Sequence, residues 1–232
     1  KIMSSLANFF DDVKVLLAAA TTKSPSANEI NSVGLLIENN ASKFTSAIAL
    51  ICEEESVTWK VLNERANRIA NFLKGEGIKQ GDVISLFMQN RIEFVVMVVA
   101  IGKLGAIAGL INTNLTRQQL VHCIGLTNSK KCIFGEELSE SINDARDELN
   151  LNDGEDYLFV RDLGTAPAPS WSKEIVSSDE SLDPSNPEET KTIPISSTGF
   201  FIFTSGTTGL PKAARVSYKR ILPVANMTSR WV

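Results

Sequence analysis

The chain has one histidine, His122, and three cysteines, Cys52, Cys123 and Cys132, in 232 residues. A single imidazole cannot build a histidine-rich metal centre. No Gly-x-Ser-x-Gly elbow accompanies it, and a lone imidazole needs a partner before it can move protons. The cysteines show neither metal-ligand spacing nor a disulfide framework, which fits small buried thiols in a reducing compartment. Positive charge is in deficit. The 23 Lys and Arg against 27 Asp and Glu give a net charge of −4, the wrong sign for a general nucleic-acid surface. Nor is any apolar run long enough to span a membrane, which takes about twenty residues. The stretch from Phe94 to Ile111 is interrupted by Gly102, Lys103, Gly105 and Gly109. It reads as a buried helix, a glycine turn and a buried strand over 106–111. Internal repeats and a secretory leader pattern are also missing.

What remains is a chain of ordinary globular make-up, long enough to bury a real core. Its periodicity alternates. Apolar pairs and runs predict strands over 47–51, 83–88, 131–134 and 157–160. The 3.6-residue period predicts helices over 32–39, from Leu62 to Gly75, 92–104 and 139–149. Thr116 with Gln119 has the form of a capping box for a further helix ending near Leu126. Ile2, Leu6, Phe9, Phe10, Val13, Leu16 and Leu17 form one helical face, able to dock on the domain or to touch a membrane surface. Strands alternating with helices predict an α/β fold, a mostly parallel sheet covered by helices on both faces. The segment from Gly164 to Pro194 breaks this rhythm with five prolines and the acidic pairs Asp179-Glu180 and Glu188-Glu189. It reads as a solvated surface connection, pinned at Trp171. The chain therefore divides into an α/β unit over 1–163, a Pro-rich linker over 164–195 and a final segment over 196–232.

That final segment carries the chemistry. Gly199-Phe200-Phe201-Ile202-Phe203 reads as a buried strand, and Thr204-Ser205-Gly206-Thr207-Thr208-Gly209-Leu210-Pro211-Lys212 follows it. Glycines let a backbone approach its ligand closely. Successive backbone N–H groups form an anion-holding nest. The hydroxyls of Thr204, Ser205, Thr207 and Thr208 add donors, and Lys212 adds a compact positive charge. The pattern is not the G-x-x-x-x-G-K-[ST] loop of the common nucleoside triphosphatases. Gly206 and Gly209 are three apart, Pro211 precedes the lysine, and Ala213 stands where a magnesium-binding hydroxyl would be. A short strand over 213–217 and a helix over 220–231 are expected to follow.

The nine-residue string resembles the phosphate-binding loop of the adenylate-forming superfamily, the acyl-CoA synthetases, luciferases and adenylation domains. The resemblance extends to Thr58-Trp59-Lys60-Val61-Leu62-Asn63-Glu64-Arg65-Ala66-Asn67-Arg68-Ile69-Ala70, to Gly81-Asp82-Val83-Ile84, and to the stretch from Asn90 to Gly109. Leu110-Ile111-Asn112-Thr113-Asn114-Leu115 with His122-Cys123, and Lys212-Ala213-Ala214, are similar to the fatty-acid transport protein branch of long- and very-long-chain acyl-CoA synthetases. Tyr218 departs from the pattern, because many relatives carry a histidine shortly after the loop.

The resemblance implies an N-terminal piece of the large domain of an AMP-forming long-chain fatty acid–CoA ligase, inactive by itself. ATP, a fatty acid and coenzyme A would be its substrates, with Mg²⁺ bound by ligands lying beyond Val232. Thr204, Ser205, Gly206, Thr207, Thr208, Gly209 and Lys212 would hold the ATP phosphates, and Lys212 would serve catalysis by neutralising charge. His122 would belong to a structural helix. The setting would be cytoplasmic, with peripheral membrane contact. Two alternatives stay open: an aryl- or short-acyl ligase of the same superfamily, and a non-enzymatic lipid-transport or scaffolding module that kept the fold.

Overall fold

The computed structural model describes residues 25–162, 164, 167–204 and 210–228, with side chains described as far as residue 223. The apolar face running from Ile2 to Leu17 lies outside the described residues. Helix α1 (Val33–Lys43) starts at Ser32, whose hydroxyl accepts the Leu35 N–H at 3.2 Å, the normal way to satisfy a helix's free donors. An antiparallel pair follows, β1 (Ile48–Cys52) and β2 (Glu55–Thr58). Thr58 then caps α2 (Trp59–Gly75) by accepting from the Val61 N–H at 3.3 Å. Leu62, Ala66, Ile69, Ala70 and Leu73 recur at helical spacing in α2 and are all buried.

The central sheet begins with β3 (Val83–Phe87), α3 (Ile92–Lys103), β4 (Ile107–Leu110), α4 (Arg117–Leu126) and β5 (Lys131–Gly135). It continues through α5 (Ser139–Ala145), β6 (Tyr157–Val160), β7 (Lys173–Glu174), β8 (Thr198–Thr204), β9 (Lys212–Ser217) and α6 (Tyr218–Thr228). The seven strands lie in the order β7-β6-β5-β3-β4-β8-β9. All pairings are parallel except β8 with β9.

Strand side chains alternate between two cores, as a period of two requires. Ile84, Leu86, Ile133, Leu158 and Val160 pack on one face with the buried sides of α1, α2 and α3. Phe87, Cys132, Phe134, Tyr157 and Phe159 pack on the other with residues of α4 and α5, among them Leu120, Cys123, Ile124, Ile142 and Ala145. The sheet is thus covered by helices on both faces, the arrangement expected of parallel strands. Trp171 stacks on Phe134 at 5.3 Å between ring centres and meets Tyr157 edge-on.

Three local expectations are corrected. Thr116 makes no side-chain capping bond, and the first helical residue, Arg117, has φ = +33°, so the geometry of a capping box is absent. The helix expected to reach Leu149 stays α-helical only to Ala145, and residues Arg146–Glu148 tighten into a 3₁₀ turn. The stretch expected to be a solvated connection is in large part packed. Strand β7 extends the sheet beside β6, and Ile175, Ser177, Thr190, Ile193 and Ile195 are buried. Polar side chains of α2 tie the stretch down. The amide of Asn67 donates to the Pro184 carbonyl at 2.7 Å and to Asn186 at 2.8 Å, that of Asn63 to Asn186 at 2.9 Å, and that of Asn71 to the carbonyls of Asp183 and Ser185.

Candidate functional site

The two edges of the sheet differ in character. At the amino-terminal edge charge is closed up in pairs. Buried Lys131 donates to Glu76 at 3.0 Å and approaches Asp156 at 3.4 Å, Lys173 reaches Glu76 at 3.1 Å, and Lys130 pairs with Asp82 at 2.9 Å. At the carboxyl edge the chain leaves an open cavity of about 540 Å³. It is lined by Met88–Asn90 after β3, Leu110 at the end of β4 with Ile111–Thr113 after it, Ile202 and Phe203 of β8, and Phe94 of α3. The carboxyl ends of parallel strands are where open α/β sheets bind ligands, because loops diverge there and leave a crevice.

The rim of this cavity is held by one carboxylate. Glu137 accepts from the Gln89 N–H at 2.7 Å and from the Arg91 guanidinium at 2.8 Å. Arg91 also lies 3.5 Å from Asp162. A Cβ at Gly135 would strike the Glu137 carboxylate, so a larger residue there would make this side chain shift. On the other side, the Asn112 side chain accepts from the Asn114 N–H at 3.0 Å, closing a local turn at the end of β4.

The hydroxyl-rich loop opens from the same edge. Phe200 and Phe201 of β8 are buried, and Ile202 and Thr204 emerge to solvent. Thr204 is paired in register with Lys212 of β9, so the loop closes a hairpin whose two ends are these residues. Thr204 and Lys212, placed far apart in the nine-residue string, are brought face to face. Ser205, Gly206, Thr207, Thr208 and Gly209 lie outside the described residues. Lys212 is exposed, and among the described residues no carboxylate pairs with it. An exposed ammonium and a hydroxyl at the two ends of a loop, beside an open cavity, can receive an anion.

His122, on α4, reaches this hairpin: its Nε2 lies 2.9 Å from the Pro211 carbonyl, the residue immediately before Lys212. The sequence offered no signal for this contact beyond the residue being the only imidazole. Tyr218 does not face the cavity. It is buried at the start of α6, edge-on to Phe200 at 6.0 Å between ring centres, and burial pushes its phenol pKa up. Cys123 and Cys132 are buried in the core beneath α4. Burial raises their thiols to about 11 and about 12, which keeps both protonated at neutral pH. Among the described residues no group of three or more His, Cys, Asp or Glu side chains could hold a metal ion.

A family model described as AMP-binding enzyme matches residues 37–232. The chain belongs to the AMP-binding enzyme family. It is 30% identical over 206 residues to long-chain fatty acid transport protein 1 of Mus musculus, covering 84% of this chain and 30% of that protein. It is also 30% identical over 199 residues to the medium/long-chain-fatty-acid–CoA ligase FadD6 of Mycobacterium tuberculosis, again with 84% and 30% covered. The chain therefore spans about a third of the length of these curated relatives. In fold it is similar to the anthranilate CoA ligase AuaEII, solved with anthranoyl-AMP, at TM-score 0.72 and 22% identity, covering 87% of this chain and 36% of that one. A fatty acyl CoA synthetase of Mycobacterium tuberculosis aligns at TM-score 0.65 and 22% identity, covering 82% of this chain and 35% of that one. No helix among the described residues is long and apolar enough to cross a membrane.

Proposed function

We propose that this chain supplies the phosphate-holding part of an AMP-forming long-chain fatty acid–CoA ligase. The observation that carries the reading is the pairing of Thr204 with Lys212, exposed and met by no carboxylate among the described residues, across the mouth of the hydroxyl-rich loop, at the cavity-bearing edge of the sheet. In the reaction, a fatty-acid carboxylate oxygen attacks the α-phosphorus of ATP. The bond to the bridging oxygen breaks, and pyrophosphate leaves with acyl-AMP formed. The thiol of coenzyme A then attacks the acyl carbon, gives up its proton and displaces AMP. Negative charge grows on the leaving pyrophosphate in the first step. Lys212 and the hydroxyls of Thr204, Ser205, Thr207 and Thr208 would stabilise that charge by charge-assisted hydrogen bonds, while Gly206 and Gly209 let the backbone close around the phosphates. Magnesium would share the phosphate charge when bound. Among the described residues no group of three or more His, Cys, Asp or Glu side chains assembles a site for it.

The fatty acid is preferred over aryl or short acids because the relatives at 30% identity carry fatty-acid names. Free cysteines suit a cytoplasmic setting, and a fatty-acid substrate suits peripheral contact with a membrane. The 232 residues alone should not turn over. The test is ATP consumption by the full-length protein: AMP and pyrophosphate should form only when a long-chain fatty acid is present, and Lys212→Ala should lower kcat/KM for ATP by roughly ten- to a hundredfold. Pyrophosphate release that ignores fatty acid would defeat the substrate assignment. Unchanged kinetics in the lysine variant would remove Lys212 from the mechanism.

A further inference from the structure

We infer that His122 is a positioning residue for the phosphate loop, acting through the Pro211 carbonyl on Lys212. The inference rests on the reading of the loop given above. Pro211 contributes no N–H, and its ring fixes φ near −65°. The remaining freedom at Pro211 is rotation of its peptide plane with Lys212, and that plane carries the carbonyl that His122 contacts at 2.9 Å. A carbonyl oxygen only accepts, so the ring must carry its proton on Nε2. The imidazole is half-buried on α4, whose neighbours Cys123 and Ile124 are locked into the core beneath the sheet. The donor is therefore mounted on a rigid element. On the other flank, Lys212 is fixed by its register with Thr204. The two restraints meet at one residue: β8 sets where its backbone sits, and His122 sets the plane from which it departs. Held this way, the ammonium is placed before ATP arrives, so that binding does not have to order it.

Replacements that put an amide donor at different reach separate positioning from packing. In His122→Gln the side-chain nitrogen falls near the place of Nε2, and in His122→Asn it falls near Nδ1, too short to reach Pro211. In the full-length protein His122→Gln should keep the KM for ATP within about twofold of wild type, and His122→Asn should raise it by roughly two- to tenfold, the range that one hydrogen bond supplies. The KM for fatty acid should stay put in both. A second readout needs no turnover: trypsin should cut after Lys212 faster in His122→Asn than in His122→Gln or wild type. Equal ATP KM values and equal cleavage in the two variants would overturn the inference, as would a parallel rise in the KM for both substrates. Lys212→Ala measured alongside distinguishes the failures. If it raises the KM for ATP while His122→Asn does not, His122 has no part in positioning. If Lys212→Ala also leaves ATP binding unmoved, the reading of the loop itself falls.

Discussion

The ring of Tyr218 occupies the space that a side chain at Gly199 would need. A Cβ built on Gly199 comes 2.5 Å from the Tyr218 Cε1 and 2.7 Å from its Cζ. Both residues sit where the β8–β9 hairpin joins the body, Gly199 at the entry of β8 and Tyr218 just past the exit of β9. The ring cannot swing aside, because it is buried and edge-on to Phe200. Gly199→Ala should therefore act as overpacking and destabilise the fold by about 1–3 kcal/mol. Chemical denaturation reads this directly. Combining it with Tyr218→Leu, which vacates the ring's volume, should recover part of the loss, a coupling that two independent sites would not show. The Tyr218 hydroxyl is buried with no hydrogen-bond partner among the described residues. Tyr218→Phe should be neutral or stabilising by up to about 1 kcal/mol, since it removes a desolvated polar group and keeps the ring.

A second prediction concerns Asn67, which is 1% exposed and spends its amide on the Pro184 carbonyl and Asn186. Asn67→Ala would take the donor from the Pro184 carbonyl and Asn186 and empty a buried position, and should lower stability by about 1–3 kcal/mol. Asn71 makes two bonds of the same kind at an exposed position, where water can replace the lost donor. Asn71→Ala should lower stability by less than about 1 kcal/mol. Equal unfolding midpoints for the two variants would show that the segment 183–187 is not held by these amides.

The same contacts mark how far the sequence could be read. Strands such as Lys131–Gly135 and Tyr157–Val160 were legible because both faces of a parallel strand are apolar, and α2 because Leu62, Ala66, Ile69, Ala70 and Leu73 repeat at helical spacing. The strand before the hydroxyl-rich loop was also legible, although its burial stops at Phe201 and Ile202 is exposed. The segment after Trp171 was not. Its prolines and carboxylates carry no periodicity, and its order comes from asparagines more than a hundred residues earlier in the chain. Asn63 and Asn67, one turn apart on a helix face that is otherwise apolar, were the available hint: buried amides must find partners. Thr204 and Lys212 were proposed from the string, but that they pair in register across the hairpin could not be read from it. The contact of His122 with Pro211 joins residues 89 apart and depends on how α4 crosses the sheet, which no local pattern encodes. Thr116 shows the opposite failure, a correct motif whose bond the backbone at Arg117 does not allow.

Lys103 gives a prediction whose sign is set by pH. It ends the apolar helix α3 with its side chain fully buried, and its ammonium lies 3.7 Å from the Glu38 carboxylate of α1. Burial pulls its pKa from 10.5 down to about 8, against the opposing pull of Glu38. In the unfolded chain it returns to the ordinary value. Below pH 8 both states hold the proton and the fold carries the full penalty of the buried charge. Between about 8 and 10.5 the unfolded state binds more protons than the folded one, so stability rises with pH, by up to roughly 3 kcal/mol if the shift is fully expressed. Tyr157 and Tyr218 run the other way above about pH 10. Their phenol pKa values are raised by burial, so the folded state keeps protons that the unfolded state releases. Cys123 and Cys132, raised by burial from 9.0 to about 11 and about 12, oppose Lys103 from about pH 9, because their thiols ionise in the unfolded chain first. The window that belongs to Lys103 is therefore pH 8 to 9. Urea unfolding across it should show the midpoint climbing in wild type and staying level in Lys103→Met. The methionine variant leaves Glu38 without its partner, which by itself should be destabilising at neutral pH, whereas Lys103→Met with Glu38→Gln removes both charges and should recover that loss. A wild-type midpoint that stays flat from pH 8 to 9 would mean that Lys103 reaches water and that α1 packs more loosely against α3 than the burial of this lysine requires.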